Sequence, residues 1–89
     1  MLDAVTTKRF ERDYKKVRKQ GKDLSKIKHL IFLLAHQEKL TKSYFDHPLS
    51  GNYRFCRECH IEPDWLLIYQ IKDNDLILMR TGSHSDLFR

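Results

Sequence analysis

Three histidines of this chain, His47, His60 and His84, each lie beside turn-forming or charged residues. The unperturbed pKa of histidine is about 6.5, so an imidazole takes up or releases a proton near neutral pH. Asp64 and Arg80 occur in the same short segments of sequence. Several histidines together with an aspartate and an arginine would suit proton transfer at a phosphate group.

RNA is the first phosphate substrate to consider, because the chain is basic. Its cleavage by transesterification needs a base for the 2′-hydroxyl proton, an acid for the departing 5′-oxygen, and cations that offset charge on the phosphorane. A metal ion is not required for this reaction. The candidate catalytic residues are His47, His60, Asp64 and His84. Arg57 and Arg80 are the candidate phosphate ligands, because a guanidinium forms paired hydrogen bonds to phosphate oxygens.

Basic residues are concentrated in the first half of the chain. Residues 1–45 hold twelve Lys or Arg and five Asp or Glu, whereas residues 46–89 hold five and seven, and the formal net charge is +5. This division predicts one surface that binds a polyanion backbone and another that carries the chemistry. The cations that we expect to contact RNA are Lys8, Arg12, Lys15, Lys16 and Lys19.

Length and composition predict one domain over residues 1–89. A hydrophobic fraction of 40% and a charged fraction of 33% are typical of a globular protein rather than a disordered one. No apolar run is long enough to span a bilayer, and the N-terminus lacks the apolar region of a signal peptide. We therefore expect a cytoplasmic protein with no membrane partner, in which Cys56 and Cys59 are thiols.

The first half of the chain is predicted to be helical after a short edge strand at residues 2–6. Residues 8–20 repeat apolar side chains at helical spacing, with a threonine before them and Gly21 after them. Asp23 is placed to cap a second helix, whose apolar face runs to Leu34. The short connection predicts an antiparallel helix pair.

The second half of the chain changes to the two-residue period of strands. After a polar loop at residues 39–49, we expect strands at residues 51–60, 65–71 and 76–80, joined by turns. The middle strand is apolar at nearly every position, which predicts burial on both faces. The predicted fold is α+β, with two N-terminal helices packed on a small, mainly antiparallel sheet.

The run from Cys56 to His60 fits the C-x-x-C-H pattern of haem attachment. Residues three apart on a strand point to opposite faces, so we do not expect Cys56 and Cys59 to share a haem, a metal or a disulfide. A zinc-dependent hydrolase is a stronger alternative, since the candidate catalytic residues are all competent ligands. We rank it below the metal-free reaction, because their spacing matches no compact zinc motif and nearby arginines would repel a cation.

A third alternative is a binding module that does not cleave its ligand. The basic half would then bind RNA or a protein, and the histidines would serve pH sensing or packing. His29 and His36 have no chemical neighbours on the predicted second helix, so we assign them to its surface or its packing boundary.

Three segments of the sequence carry a family resemblance. They are DHPL at 46–49, RECHIEPDWLLIY at 57–69 and RTGSH at 80–84, after which the chain continues to Leu87 and Phe88. In their order and spacing, these segments resemble the YafQ branch of the RelE superfamily, whose members are bacterial type II toxins. The resemblance covers almost the whole chain, including the two basic helices, and implies a RelE-like fold.

The activity that the resemblance implies is that of an mRNA endonuclease, which enters the ribosomal A site and cuts the codon being translated. The lysine-rich helices would bind ribosomal RNA. The resemblance implies no cofactor. The family's site falls here on His47, His60, Asp64 and His84, with Phe88 helping to position the base or the C-terminal end. Arg80 stands where the family has an arginine before its Thr-Gly-x-His turn. Two departures are minor: Cys59 stands where a small residue is also found, and Arg89 extends the chain past Phe88.

Each site residue has an expected role under this resemblance. His84 would protonate the leaving 5′-oxygen. His60 supported by Asp64, or Asp64 itself, would take the 2′-hydroxyl proton. His47 would support the phosphate or share the role of base, and Arg80 would offset charge in the transition state.

The implied partners are the ribosome with its mRNA and a cognate antitoxin of the DinJ or RelB type. Such an antitoxin has a ribbon-helix-helix part that binds DNA, so operator DNA would be a partner only through the toxin–antitoxin complex. The small core and the basic half are suited to capture by an acidic, wrapping segment.

Overall fold

In the computed structural model, a five-stranded sheet carries two helices on one face. The structure describes residues 1–88, and Arg89 lies outside the described residues. The strands are β1 (Asp3–Thr6), β2 (His47–Pro48), β3 (Arg57–Glu62), β4 (Trp65–Lys72) and β5 (Asp75–Gly82). The helices are α1 (Lys8–Lys19), α2 (Leu24–Ala35) and α3 (His84–Leu87), and single 3-10 turns lie at Lys42–Tyr44 and Gly51–Tyr53. Among these described residues, no helix has the length and apolar character needed to cross a bilayer.

The strand order is β1-β5-β4-β3-β2. β1 is an edge strand that pairs with β5 in parallel, whereas the pairs β2–β3, β3–β4 and β4–β5 are antiparallel. The predicted edge strand and the predicted α+β class, with a helix pair on a mainly antiparallel sheet, are both confirmed.

Side-chain caps begin the two long helices where the sequence predicts them. Thr7 Oγ1 accepts a hydrogen bond from the Phe10 amide at 3.0 Å and donates one to the Met79 carbonyl at 2.9 Å, which ties the start of α1 to β5. Asp23 accepts a hydrogen bond from the Ser25 amide at 3.0 Å at the start of α2. These caps therefore fix the residues at which α1 and α2 begin.

β4 is buried on both faces, as its apolar run predicts. Trp65, Leu67 and Tyr69 join the core beneath α1 and α2. Leu66 and Ile68 belong to a second, smaller cluster on the opposite face, which also contains Leu49, Cys56 and Leu87. The opposite face is therefore only partly covered, which leaves room there for polar residues.

The strand predicted for residues 51–60 is wrong in its first half. Residues 51–53 form a 3-10 turn, and β3 begins only at Arg57. Gly51 has φ +66°, in the left-handed region that glycine tolerates best, so the chain turns where a strand would have to be extended. Phe55 is exposed rather than packed on a sheet.

Three further boundaries differ from the sequence-based prediction. Residues 47–48 form an edge strand rather than a loop, and β5 continues to Gly82 instead of ending at Arg80. Residues 61–62 continue β3 past an irregularity in pairing that follows His60. The β3–β4 turn consequently contains only Pro63 and Asp64.

Cys56 and Cys59 are both buried thiols on opposite faces of the sheet. Cys59 lies in the core beneath the helices and Cys56 in the smaller cluster, although Cys56 precedes β3 rather than lying on it. Burial raises the pKa of both thiols, so they stay protonated. The two sulfurs do not face a common site.

The buried hydroxyl of Thr81 provides a test of this packing. It accepts a hydrogen bond from Trp65 Nε1 at 3.0 Å and donates one to the Leu66 carbonyl at 2.7 Å. Thr81→Val keeps the shape but removes both bonds and leaves the buried Trp65 N–H without this acceptor, so we expect it to lower the free energy of unfolding by about 1–3 kcal/mol. Equilibrium urea unfolding measures this loss. The exposed Thr6→Val is the control, and equal stability of the two variants would contradict the assigned bonds.

Candidate active site

The pairing of the strands gathers the polar residues on the partly covered face. His47 on β2 pairs with Glu58 on β3, which pairs with Ile68 on β4, which in turn pairs with Arg80 on β5. Directly paired residues point to the same face of a sheet. His60 shares that face because it lies two positions after Glu58 on the same strand. His47, Glu58, His60 and Arg80, from three different strands, therefore share one face of the sheet.

Glu58 is the buried carboxylate at the centre of this patch. Its Oε1 lies 3.3 Å from Nε2 of His60 and 3.7 Å from Nε2 of His47. The residue is only 4% exposed. Sequence reasoning did not select Glu58, although its place two positions before His60 was a usable signal.

Asp64 and His84 form a second pair at the edge of the patch. One oxygen of Asp64 accepts hydrogen bonds from the backbone amide of His84 at 2.9 Å and from its Nδ1 at 2.7 Å. These two bonds lower the pKa of Asp64, the backbone bond having the larger effect. The sequence analysis paired Asp64 with His60; the structure instead pairs it with His84, because the β3–β4 turn faces the start of α3.

The histidine rings lie close enough to act on one group. The centroids of His47 and His60 are 6.3 Å apart, and those of His60 and His84 are 5.7 Å apart. One ligand atom from each of Glu58, His60 and His84 lies within 4.8 Å of the other two. Phe88 stands next to His84, with its centroid at 6.4 Å, and is 45% exposed. The structure thus brings together three of the predicted catalytic residues, His47, His60 and His84. The fourth, Asp64, is hydrogen-bonded to His84.

Asp46 fixes the segment that carries His47. Its two oxygens accept hydrogen bonds from Arg57 Nε at 3.0 Å and from the Tyr69 hydroxyl at 2.8 Å. Nδ1 of His47 also lies 2.6 Å from the Phe45 carbonyl, which can only accept, so Nδ1 carries the proton and Nε2 faces Glu58. Arg57, which was predicted to be a phosphate ligand, lies at the rim of this patch and is hydrogen-bonded to Asp46.

Arg80 is held by a carboxylate from α1. Its Nε and a terminal nitrogen donate to the two oxygens of Asp13 at 2.6 Å and 3.2 Å, and its other terminal nitrogen lies 3.4 Å from the Tyr53 hydroxyl. Asp13 also accepts a hydrogen bond from the Thr81 amide at 3.2 Å. These contacts raise the pKa of Arg80, mainly through the bonds to Asp13. Asp13 therefore fixes the direction of a guanidinium that was predicted to bind phosphate.

The predicted RNA-binding cations form an exposed face of α1. Lys8, Arg12, Lys15 and Lys19 are spaced by three or four residues, which places them along one side of a helix. Lys16 lies beside them and pairs with Asp86 of α3 at 2.9 Å. The basic face thus adjoins the end of the chain that carries His84.

Glu58, His60 and His84 have the chemistry and spacing to hold a metal ion. One carboxylate oxygen and two imidazole nitrogens, completed by water, are a known ligand set for zinc. This set differs from the four ligands considered in the sequence analysis, because Asp64 is turned toward His84. Repulsion by arginines is also weaker than expected, since Arg57 and Arg80 are each paired with an aspartate.

Comparison with known proteins gives relatives across the whole chain. A family model, described as "Bacterial toxin of type II toxin-antitoxin system, YafQ", matches residues 2–89. The mRNA interferase toxin YafQ of Escherichia coli K12 is 42% identical over 80 residues, which are 89% of this chain and 87% of that protein. A chain in the crystal structure of the E. coli DinJ-YafQ complex is 39% identical, with a TM-score of 0.91 and full coverage of both chains. A metal-bound toxin from Helicobacter pylori is 47% identical, with a TM-score of 0.93, and the match covers 99% of this chain and 100% of that one.

A helix pair on a mainly antiparallel sheet is the RelE-like α+β fold, and histidine–carboxylate pairs lie on the partly covered face of this sheet. Within that class the family is shown by the comparisons. The chain belongs to the YafQ family of toxins from bacterial type II toxin–antitoxin systems.

The Asp64–His84 pair predicts a pH-dependent contribution to stability. The pKa of folded Asp64 lies below its ordinary value of 3.8, so folding favours the ionised carboxylate. The contribution is therefore complete above that value and is lost as the pH falls through the lower pKa of the folded state. We expect the difference in unfolding free energy between wild type and Asp64→Asn to shrink as the pH falls from about 6 to about 2. A difference that stays constant over urea titrations in this range would contradict the pairing.

Proposed function

We propose that this chain, acting as a single domain in the cytoplasm, is an mRNA interferase that cleaves mRNA in the ribosomal A site. The observation that carries this proposal is the approach of two histidine–carboxylate pairs, His60–Glu58 and His84–Asp64, within reach of one phosphate. Transesterification needs one group that accepts a proton and another that donates one, and two such pairs supply both.

His84 is the general acid of the proposed reaction. Asp64 accepts a hydrogen bond from Nδ1–H of His84, which leaves Nε2 as the nitrogen available to a substrate. In the proposed step Nε2 of His84 donates a proton to the departing 5′-oxygen while Asp64 holds the ring in position. The residue is half-exposed, so a substrate can reach its ring.

His60 and Glu58 together form the proposed base. Glu58 is buried and lies within hydrogen-bonding range of His60, so proton transfer from the 2′-hydroxyl to His60 is supported by an adjacent negative charge. His47 lies on the other side of Glu58 and supports the phosphate. This assignment transfers to Glu58 the supporting role that sequence reasoning gave to Asp64.

Two sets of cations support substrate binding in this proposal. Arg80, oriented by Asp13, offsets the charge that develops on the phosphorane, since a guanidinium has five N–H donors and Asp13 occupies only part of them. The exposed cations of α1 contact ribosomal RNA through its phosphates. Arg57 at the rim is the further phosphate ligand, and Phe88 beside His84 positions a base.

The proposed regulatory partner is a cognate antitoxin of the DinJ or RelB type. The E. coli relative is known in a DinJ-YafQ complex. The basic face of α1 favours an acidic segment that wraps around this chain. Operator DNA would be bound by the antitoxin part of that complex.

The proposal is tested by mapping mRNA cleavage in a cell-free translation reaction. One message has its start site, and a matched message lacks it. Cuts at in-frame codons only in the translated message are the expected result. Cuts in both messages would indicate a ribonuclease independent of the ribosome, and cuts in neither would favour the non-catalytic binding module.

Substitution of the proposed acid should separate catalysis from folding. We expect His84→Ala to lower the cleavage rate by about a hundred- to ten-thousand-fold, the usual contribution of a general acid or base. His29→Ala, at an exposed histidine of α2, is the matched control and should cleave at the wild-type rate. Equal rates for the two variants, measured on the translated message, would remove His84 from the mechanism.

A metal-dependent hydrolase is the second candidate, favoured by the cluster of Glu58, His60 and His84. A bound cation would act there as a Lewis acid at a phosphate oxygen. We expect instead that prior treatment of the toxin with a zinc-selective chelator leaves cleavage unchanged. Added zinc should inhibit, because an imidazole that binds a metal cannot carry the proton. Activity lost to the chelator and restored by zinc would replace the metal-free proposal.

A further inference from the structure

A cleft of about 500 Å³ lies beside His60, and neither His84 nor Phe88 is among the described residues that line it. Its lining is mostly apolar and aromatic and includes Tyr44, Phe45 and Ile61. Its volume is within the range of about 300–1,000 Å³ that is usual for small-molecule sites. Of the residues that line this cleft, only His60 takes part in the RNA cleavage proposed above.

Phe45 is the most exposed aromatic ring at this cleft. It is 66% exposed, whereas Tyr44 and Ile61 are partly buried against the main core. Exposure of a large aromatic ring is unfavourable in water, so a ring kept at a reaction site is a candidate for ligand contact. The ring of Phe45 meets that of His60 edge-on, with centroids 5.5 Å apart.

Close ring contacts link four side chains at the site in succession. From Phe45 to His60, from His60 to His84 and from His84 to Phe88, the centroids are 5.5, 5.7 and 6.4 Å apart. Each of the two proposed proton-transfer histidines therefore has an exposed phenylalanine as a neighbour. A scissile phosphate held between the two histidines would have Phe45 next to His60 and Phe88 next to His84.

The backbone of Phe45 is held in a conformation that an L-residue rarely adopts. Its φ of 48° and ψ of 41° are in the left-handed region, which costs a phenylalanine free energy. Asp46 anchors the next position through Arg57 and Tyr69, and the Phe45 carbonyl accepts a hydrogen bond from Nδ1 of His47. The ring is therefore presented from a fixed segment that also sets the orientation of a proposed catalytic residue.

We infer that Phe45 is a stacking platform for the base of a nucleotide next to the scissile phosphate, and that the adjoining cleft receives this base. The inference rests on the proposed RNA cleavage and assigns a substrate-binding residue to the side of the site opposite Phe88. Stacking uses the π-face that every base has, so Phe45 contributes affinity and position rather than codon preference.

The test compares Phe45→Leu with Phe45→Tyr on ribosomes programmed with one defined message. Leucine keeps an apolar side chain but has no ring, whereas tyrosine keeps the ring. Loss of one base–aromatic stack corresponds to about a 5- to 150-fold change in affinity. We expect Phe45→Leu to raise KM by a factor in this range with kcat nearly unchanged, because stacking stabilises bound substrate and transition state alike. Phe45→Tyr should cleave like the wild type.

Phe32→Leu is the matched control, since Phe32 is 56% exposed on α2 and is remote in sequence from the site. Unchanged cleavage by Phe45→Leu, with an active wild type, would overturn the stacking role alone. Reduced antitoxin binding with unchanged cleavage would assign Phe45 to a protein interface instead. An inactive wild type would overturn the proposed function itself. A fall in kcat with unchanged KM, or loss in Phe45→Tyr as well, would mean that Phe45 acts by positioning His60 or His47 rather than by stacking.

Discussion

The burial of β4 on both faces is the constraint on which the site depends. Its residues alternate between the core beneath the helices and the smaller cluster opposite. A shift of one residue in the pairing of β3 with β4 would turn Glu58 and His60 toward the helices and Cys59 toward the open face. Such a shift would bury a carboxylate in an apolar core, which is unfavourable unless it finds a partner. Two-sided burial therefore fixes the register, and the register assembles the candidate active site.

Carboxylates orient nearly every group to which we assign chemistry. Asp64 holds His84, Glu58 stands between His47 and His60, and Asp13 holds Arg80. The pairs Asp64–His84 and Asp13–Arg80 join elements that are far apart in the chain. Their hydrogen bonds restrict rotation of the His84 ring and of the guanidinium before substrate binds, which lowers the cost of reaching the reactive geometry. The same pairing neutralises the arginines, so the patch is less positive than its residue types indicate.

The errors in strand prediction have a common physical cause. Residues 51–56 alternate aromatic and polar side chains as a strand does, but Gly51 adopts a left-handed conformation and begins a turn. Conversely, His47 and Pro48 have no strand-like pattern, yet they pair with β3 because that strand offers an open edge. A local pattern shows which conformations a segment can adopt, whereas pairing with a neighbouring strand determines which of them it adopts in the fold.

The sequence by itself determined the helix pair, the central strand, the basic helix face and the residue types of the site, because these follow from periodicity, capping and charge. It also carried the family resemblance in three short segments. Only the tertiary structure decided that Asp64 pairs with His84, that Glu58 lies between His47 and His60, and that Asp13 holds Arg80. The contacts of Asp64 and Asp13 span 20 and 67 positions, and Glu58 meets His47 from a neighbouring strand, so they depend on register and turn geometry that no local pattern encodes.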